Sequence, residues 1–135
     1  MNFVATDQTV EVTESRISAG RCFLALVSGR IVGTIALYGP VDSDGCEWYK
    51  RDGVFHFGQY GVEPRLQGAG IGKALLTAAE REARLAGATE LALDTSERAT
   101  DLIQLYQRWG FRLVEEIQWE GRNYRSFVLS KSLES

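Results

Sequence analysis

Residues 65–76, Arg-Leu-Gln-Gly-Ala-Gly-Ile-Gly-Lys-Ala-Leu-Leu, place nearly bare backbone directly ahead of a helical pattern. Gly68, Gly70 and Gly72 lack a Cβ, so a ligand can approach the main chain and positive φ costs little. The first turn of a helix leaves amide N–H groups unpaired and carries the positive end of its dipole. Together these features suit an anion, above all a phosphate. An ordinary loop entering a helix has the same composition, so the glycines alone leave both readings open. Spacing excludes two nucleotide cradles. Gly-x4-Gly-Lys-Ser/Thr fails because Gln67 stands five residues before Gly72 and Ala74 follows Lys73. Gly-x-Gly-x-x-Gly fails because its last position falls on Lys73 or Leu75.

Two further side chains could handle protons. His56 is the only histidine, and an imidazole titrating near pH 6.5 suits a general base. An inert imidazole on a sheet face is equally compatible with its position. Tyr106 shares a helical stripe with Leu102 and Trp109, so by spacing it reads as a core aromatic. If buried, its hydroxyl needs a partner. The segment holding Asp42, Ser43, Asp44, Glu47 and Trp48 could meet a cation, although a solvated acidic loop has the same composition.

The elements that must position these residues follow from the hydrophobic pattern. At 135 residues, 44% of them hydrophobic, the chain is expected to form one domain, residues 1–135, with one sizeable core. Residues 22–28 and 31–38 are apolar and β-branched and predict a hairpin. A polar loop is expected over 39–53, then a third strand over 54–62, stopped by Pro64. Ile71, Leu75, Ala78, Ala79, Glu82 and Ala86 fall at helical spacing, and Gly87 caps that helix. A short strand around Leu91 and Leu93, a helix over about 98–109, and strands over 111–119 and 122–130 complete a mixed α/β sheet.

Composition narrows the function classes. A net charge of −3 gives no basic face for nucleic acid. No apolar run approaches the roughly 20 residues of a membrane span, and the opening residues lack a signal-peptide pattern. Two cysteines in a chain with core enough to fold read as reduced thiols. A cytoplasmic protein without metal, nucleic-acid or membrane partners is expected.

Gln67-Gly68-Ala69-Gly70-Ile71-Gly72, after a strand and Val62-Glu63-Pro64, fits Gln/Arg-x-x-Gly-x-Gly/Ala. It resembles the acetyl-coenzyme A loop of the GNAT superfamily of N-acetyltransferases. Tyr106-Gln107-Arg108-Trp109-Gly110-Phe111 is similar to that family's Tyr-x-x-x-Gly-Phe. The resemblance covers roughly residues 16 to 130. It implies a mostly antiparallel sheet with helices on its faces, and acetyl-CoA as co-substrate. The amides of Gln67, Gly68, Ala69, Gly70, Ile71 and Gly72 would hold the pyrophosphate, with Lys73 as a point charge or simply a solvated lysine. Tyr60-Gly61-Val62 would pair with the pantetheine arm, Gly61 marking a bulge or close approach. Tyr106 would protonate the departing thiolate. His56 stands where the family often has a glutamate base. The acceptor would be an amine of a small molecule or peptide.

Three departures qualify the resemblance. Ala99 replaces an asparagine that often touches the coenzyme, a contact that Asp94, Thr95 or Ser96 could supply. Histidine replaces the glutamate. The family usually begins with a strand and one or two helices lining the acceptor site. Here residues 1–20 leave room for at most one short element, a helix over roughly 10–19, so most of that strand and those helices are expected to be missing. The bare sheet edge then beside residues 22–38 predicts a homodimer through residues 1–38. Two other classes stay in view: a coenzyme-binding module without catalysis, acting as sensor or interaction partner, and an unrelated phosphate-binding domain.

Overall fold

The computed structural model describes residues 2–5, 8–17, 20–40 and 46–134, with only the backbone given for 2–5 and 8. The strands are β1 (Asn2–Ala5), β2 (Gln8–Ile17), β3 (Gly20–Val27), β4 (Arg30–Tyr38), β5 (Val54–Val62), β6 (Glu90–Ser96), β7 (Arg112–Ile117) and β8 (Ser126–Ser132). Among the described residues there are two α-helices, α1 (Ile71–Leu85) and α2 (Thr100–Arg108), and short 3-10 turns at Trp48–Lys50 and Pro64–Leu66. Strand pairing follows the order β1-β2-β3-β4-β5-β6-β8-β7. Described pairs are antiparallel except β5 with β6, which run parallel. This is the mixed, mostly antiparallel sheet expected from the sequence. Contacts divide the chain into two compact units, residues 1–38 with 57–86, and residues 39–56 with 87–135.

In the first unit, period-two alternation buries Phe23, Ala25 and Val27 of β3 on one face. Ser28 and Gly29, both at positive φ, close the β3–β4 hairpin. Helix α1 sets Ile71, Leu75, Leu76, Ala78, Ala79 and Ala83 inward, against β2, β3 and β4. Gly87 ends it at φ 90°. The expected helix over 10–19 is instead strand β2. Val10 and Val12 are buried while Thr9 and Glu11 are exposed, the alternation of a half-buried strand. β2 pairs with β3 from Glu11↔Leu26 to Ile17↔Gly20. The edge beside residues 22–28, from which the homodimer was argued, is therefore covered by the chain's own start.

In the second unit, Val54–His56 pair with Glu90–Ala92, and β6 pairs with β8 along its length. The segment expected to be a polar loop contributes to the core. Cys46 and Tyr49 are buried with Val54, Ala92, Ile117 and Val128, and Trp48, Val114 and Trp119 pack on them. Trp48 and its neighbours are held by Glu115, whose carboxylate accepts the Trp48 amide at 2.9 Å. Asp42, Ser43 and Asp44 lie outside the described residues. β8 begins at Ser126 rather than 122, leaving 118–125 as an irregular connection. Leu102, expected in the buried stripe of α2, is 47% exposed. Tyr106 alone of that stripe is fully buried.

Candidate functional site

In the first unit, β5 delivers the chain to the glycine loop. Gln59 adopts φ 49°, so the irregularity of this strand sits two residues before Gly61, where it had been expected. Gly61 has ordinary φ, and a Cβ there would meet nothing within 4 Å. Tyr60, Gly61 and Val62 lie beyond the stretch of β5 that pairs with β6.

Two side-chain bonds draw strand and loop together. The Tyr60 hydroxyl donates to the Gly72 carbonyl, and Gln67 Nε2 donates to the Val62 carbonyl at 3.2 Å. A Cβ at Gly72 would stand 3.1 Å from the Tyr60 hydroxyl, a tight contact that the tyrosine would have to yield to by a few tenths of an ångström. Gly68 and Gly70 adopt φ 86° and 88°, the left-handed region that disfavours other residues. Gly70 is the N-cap of α1 and brings no capping side chain.

The amides of this loop separate into two groups. Gln67 N–H donates to Pro64 and Ala69 N–H to Leu66, both at 3.3 Å. The first bond of α1 runs from Ala74 to Gly70, so the amides of Ile71 and Gly72 have no place in the helical ladder. Those two amides and those of Gly68 and Gly70 are the loop's hydrogen-bonding capacity for an anion. Gln67 and Ala69, included in the sequence expectation, already spend theirs within the loop.

The second unit holds His56 and Tyr106. The His56 ring stacks on Tyr49 with centroids 4.0 Å apart and 9° between planes. Burial pushes its pKa down from 6.5 to about 4. The Tyr49 hydroxyl donates to Asp94 Oδ2 at 3.1 Å, and burial, then the Asp94 charge, holds that phenol well above its usual range. Tyr106 packs edge-on against Trp109 and Phe111, at 5.9 and 5.6 Å. Burial pushes its pKa up to about 12, so the phenol keeps its proton at neutral pH.

His56 makes a prediction about stability. Its folded pKa lies below the unfolded value, so the stabilisation is complete above about pH 6.5. It is lost as the pH falls toward 4, where the folded form must also take up a proton. The loss should be on the order of 3 kcal/mol. His56→Phe keeps an aromatic ring on Tyr49 without a titrating group. Denaturant unfolding at pH 7 and pH 4 should show a smaller acid loss for the variant than for wild type. Equal losses would remove His56 from the account of acid sensitivity.

Sequence reasoning passed over a cavity of about 600 Å³ in this unit. It is lined by Asp94, Thr95 and Ser96 from the end of β6, Trp119, Glu120, Arg122 and Tyr124 from the β7–β8 connection, and Ser126. The one signal in the sequence was the switch from Leu91-Ala92-Leu93 to Asp94-Thr95-Ser96, which marks a buried strand emerging into solvent. Asp94 opens to the cavity, yet the surrounding protein desolvates its carboxyl. That raises its pKa, while the Tyr49 hydrogen bond and the charge of Arg122 act the other way. Among the described residues no cluster of three or more metal-ligating side chains occurs, and no helix is long and apolar enough to cross a membrane.

Comparison with known proteins follows the same lines. Residues 3–111 match the model of the Acetyltransferase (GNAT) family. Human N-acetyltransferase 8B is 36% identical over 104 residues, which are 76% of this chain and 44% of that protein. The aminoalkylphosphonate N-acetyltransferase of Salmonella typhimurium is 34% identical over 89 residues, 66% of this chain and 54% of that one. The chain thus spans about half the length of these relatives. A GNAT family acetyltransferase from Elizabethkingia anophelis, solved with acetyl-CoA bound, superposes with a TM-score of 0.68 at 19% identity. That match covers 91% of this chain and 97% of the other.

Proposed function

Since the chain belongs to the GNAT acetyltransferase family, we propose that it transfers the acetyl group of acetyl-CoA to an amine. The observation that carries this reading is the loop before α1, with two left-handed glycines and the amides of Ile71 and Gly72 lying before the first bond of the helical ladder. Each charge-assisted bond to a pyrophosphate oxygen there contributes about 1.5–3 kcal/mol. The helix dipole adds up to roughly 1 kcal/mol at an exposed site. Lys73 supplies a positive charge next to those amides. Tyr60-Gly61-Val62 offers strand backbone to the pantetheine arm, and the open space over Gly61 suits that approach. The acetyl-CoA bound to the Elizabethkingia protein supports the same co-substrate here.

The reaction removes two protons from the ammonium form of the acceptor. One frees the lone pair that attacks the thioester carbonyl, and the second leaves as the amide forms. The carbon–sulfur bond breaks, its electron pair goes to sulfur, and the thiolate takes a proton. Tyr106 is assigned that last transfer, since its phenol is protonated throughout the neutral range. His56 is the base assigned by resemblance. With its pKa near 4, a rate limb due to this residue belongs near pH 4 rather than 6.5. The acceptor of the Salmonella relative, an aminoalkylphosphonate, is one amine of the proposed class.

Calorimetric titration with acetyl-CoA tests the binding half of the proposal. Saturable binding of one acetyl-CoA per chain is the expected result. Absence of heat or of saturation at millimolar ligand would defeat it.

A further inference from the structure

We infer that the cavity at the end of β6 takes a small primary amine that also carries an anionic group, the ammonium meeting Asp94 and the anion meeting Arg122. The inference rests on the acetyltransferase reading and names the acceptor for it. A volume of about 600 Å³ lies within the range of small-molecule sites, about 300–1,000 Å³.

Asp94 is a fixed carboxylate. Its Oδ2 accepts the Tyr49 hydroxyl at 3.1 Å, and Tyr49 is itself held by the His56 stack and by the core around Cys46 and Val54. A carboxylate accepts about four hydrogen bonds, so capacity is left for an ammonium. The carboxyl is also partly desolvated, and an ammonium would restore the charge-assisted bonds that water supplies elsewhere.

Arg122, an exposed side chain, provides the opposite charge. Its guanidinium donates to the Tyr124 hydroxyl and lies 5.6 Å from the centroid of that ring. Arg98 lies 5.3 Å from the same centroid. Among the described residues neither arginine has a carboxylate within ion-pair distance. Among the described residues two guanidinium groups therefore stand at one ring with no carboxylate in ion-pair contact, and the charge of Arg122 is felt by Asp94.

These charges discriminate among amines. The field of Arg122 reaches Asp94 and opposes the rise in its pKa that burial causes, so an ammonium bound there is repelled by the same guanidinium. An acceptor with its own carboxylate or phosphonate a few atoms away cancels that repulsion and gains an arginine pair. Glu120 also lines the cavity and works against the anion. Glu120 and Arg122 are both exposed, so water and salt screen both charges; Arg122 in addition donates to the Tyr124 hydroxyl. Trp119 and Tyr124 supply flat walls for the short chain between the two groups.

The test uses the purified chain with acetyl-CoA and follows thiol release with three amines. 2-Aminoethylphosphonate and β-alanine carry the anion, and propylamine is a similar amine without it. The kcat/KM for each anionic amine should exceed that for propylamine at least tenfold. Arg122→Gln should reduce this ratio at least fivefold, and Arg122→Lys should recover part of it. Arg122 is exposed, and thermal unfolding of each variant verifies the fold. Turnover of propylamine as fast as the anionic amines would overturn the inference and leave acetyl transfer standing. So would an unchanged ratio in Arg122→Gln. Thiol release with none of the three would overturn both readings.

Discussion

Gly70→Val should weaken acetyl-CoA binding about 100-fold, the loss of one or two charge-assisted hydrogen bonds of roughly 1.5–3 kcal/mol each. Gly70 precedes α1 at φ 88°, and a Cβ there would meet no protein atom within 4 Å. The free protein thus has room for the side chain. Its cost is the left-handed backbone, about 1–2 kcal/mol for a residue with a Cβ. That cost appears as a lower unfolding midpoint and can be measured apart from binding. In the proposed complex, valine stands among the amides that face the pyrophosphate, and the affinity loss adds to the strain. Calorimetry on the folded variant decides the matter. Unchanged affinity would mean that the coenzyme does not use this loop.

The second large effect belongs to Tyr106. Tyr106→Phe keeps the ring edge-on to Trp109 and Phe111 and removes only the hydroxyl. General acid catalysis is worth typically 10²–10⁴-fold, so kcat should fall about 100-fold or more. Acetyl-CoA affinity should stay within about twofold, because the assigned role is realised only as the thiolate leaves. A core aromatic predicts the reverse, a change in unfolding midpoint with turnover intact. Measuring turnover and melting on one sample separates the two roles.

The parts of the fold and site that depend on local pattern were legible in the sequence. The loop and α1 announce themselves through glycine spacing and a three-to-four-residue apolar repeat, and both stand where that pattern puts them. Tyr106-Gln107-Arg108-Trp109-Gly110-Phe111 closes α2 and opens β7 for the same reason, with Gly110 at φ 95°. β2 stands where a helix was expected, although Val10 and Val12 alternate with Thr9, Glu11 and Thr13 in its first half. The polar run Glu14-Ser15-Arg16 obscured it, because those residues take strand form by pairing with β3.

Tertiary closure hid the remainder. Cys46 and Tyr49 lie in a stretch that reads as polar loop, and they are buried because Val54, Ala92, Ile117 and Val128 converge on them. Arg122 and Tyr124 resemble strand residues by type. Their side-chain bond and ring contact belong instead to the connection that lines the cavity. The low pKa of His56 follows from burial, which periodicity on one strand does not report.

Thiol release tests the central claim most directly. The chain is mixed with acetyl-CoA and a panel of primary amines, and free coenzyme thiol is followed alongside the mass of the acetylated product. The account predicts release that requires both an amine and the protein, matches product one for one, needs about 100-fold more acetyl-CoA in Gly70→Val and is strongly reduced in Tyr106→Phe. Tight acetyl-CoA binding with no amine-dependent thiol release would contradict it and leave a coenzyme-binding module in its place.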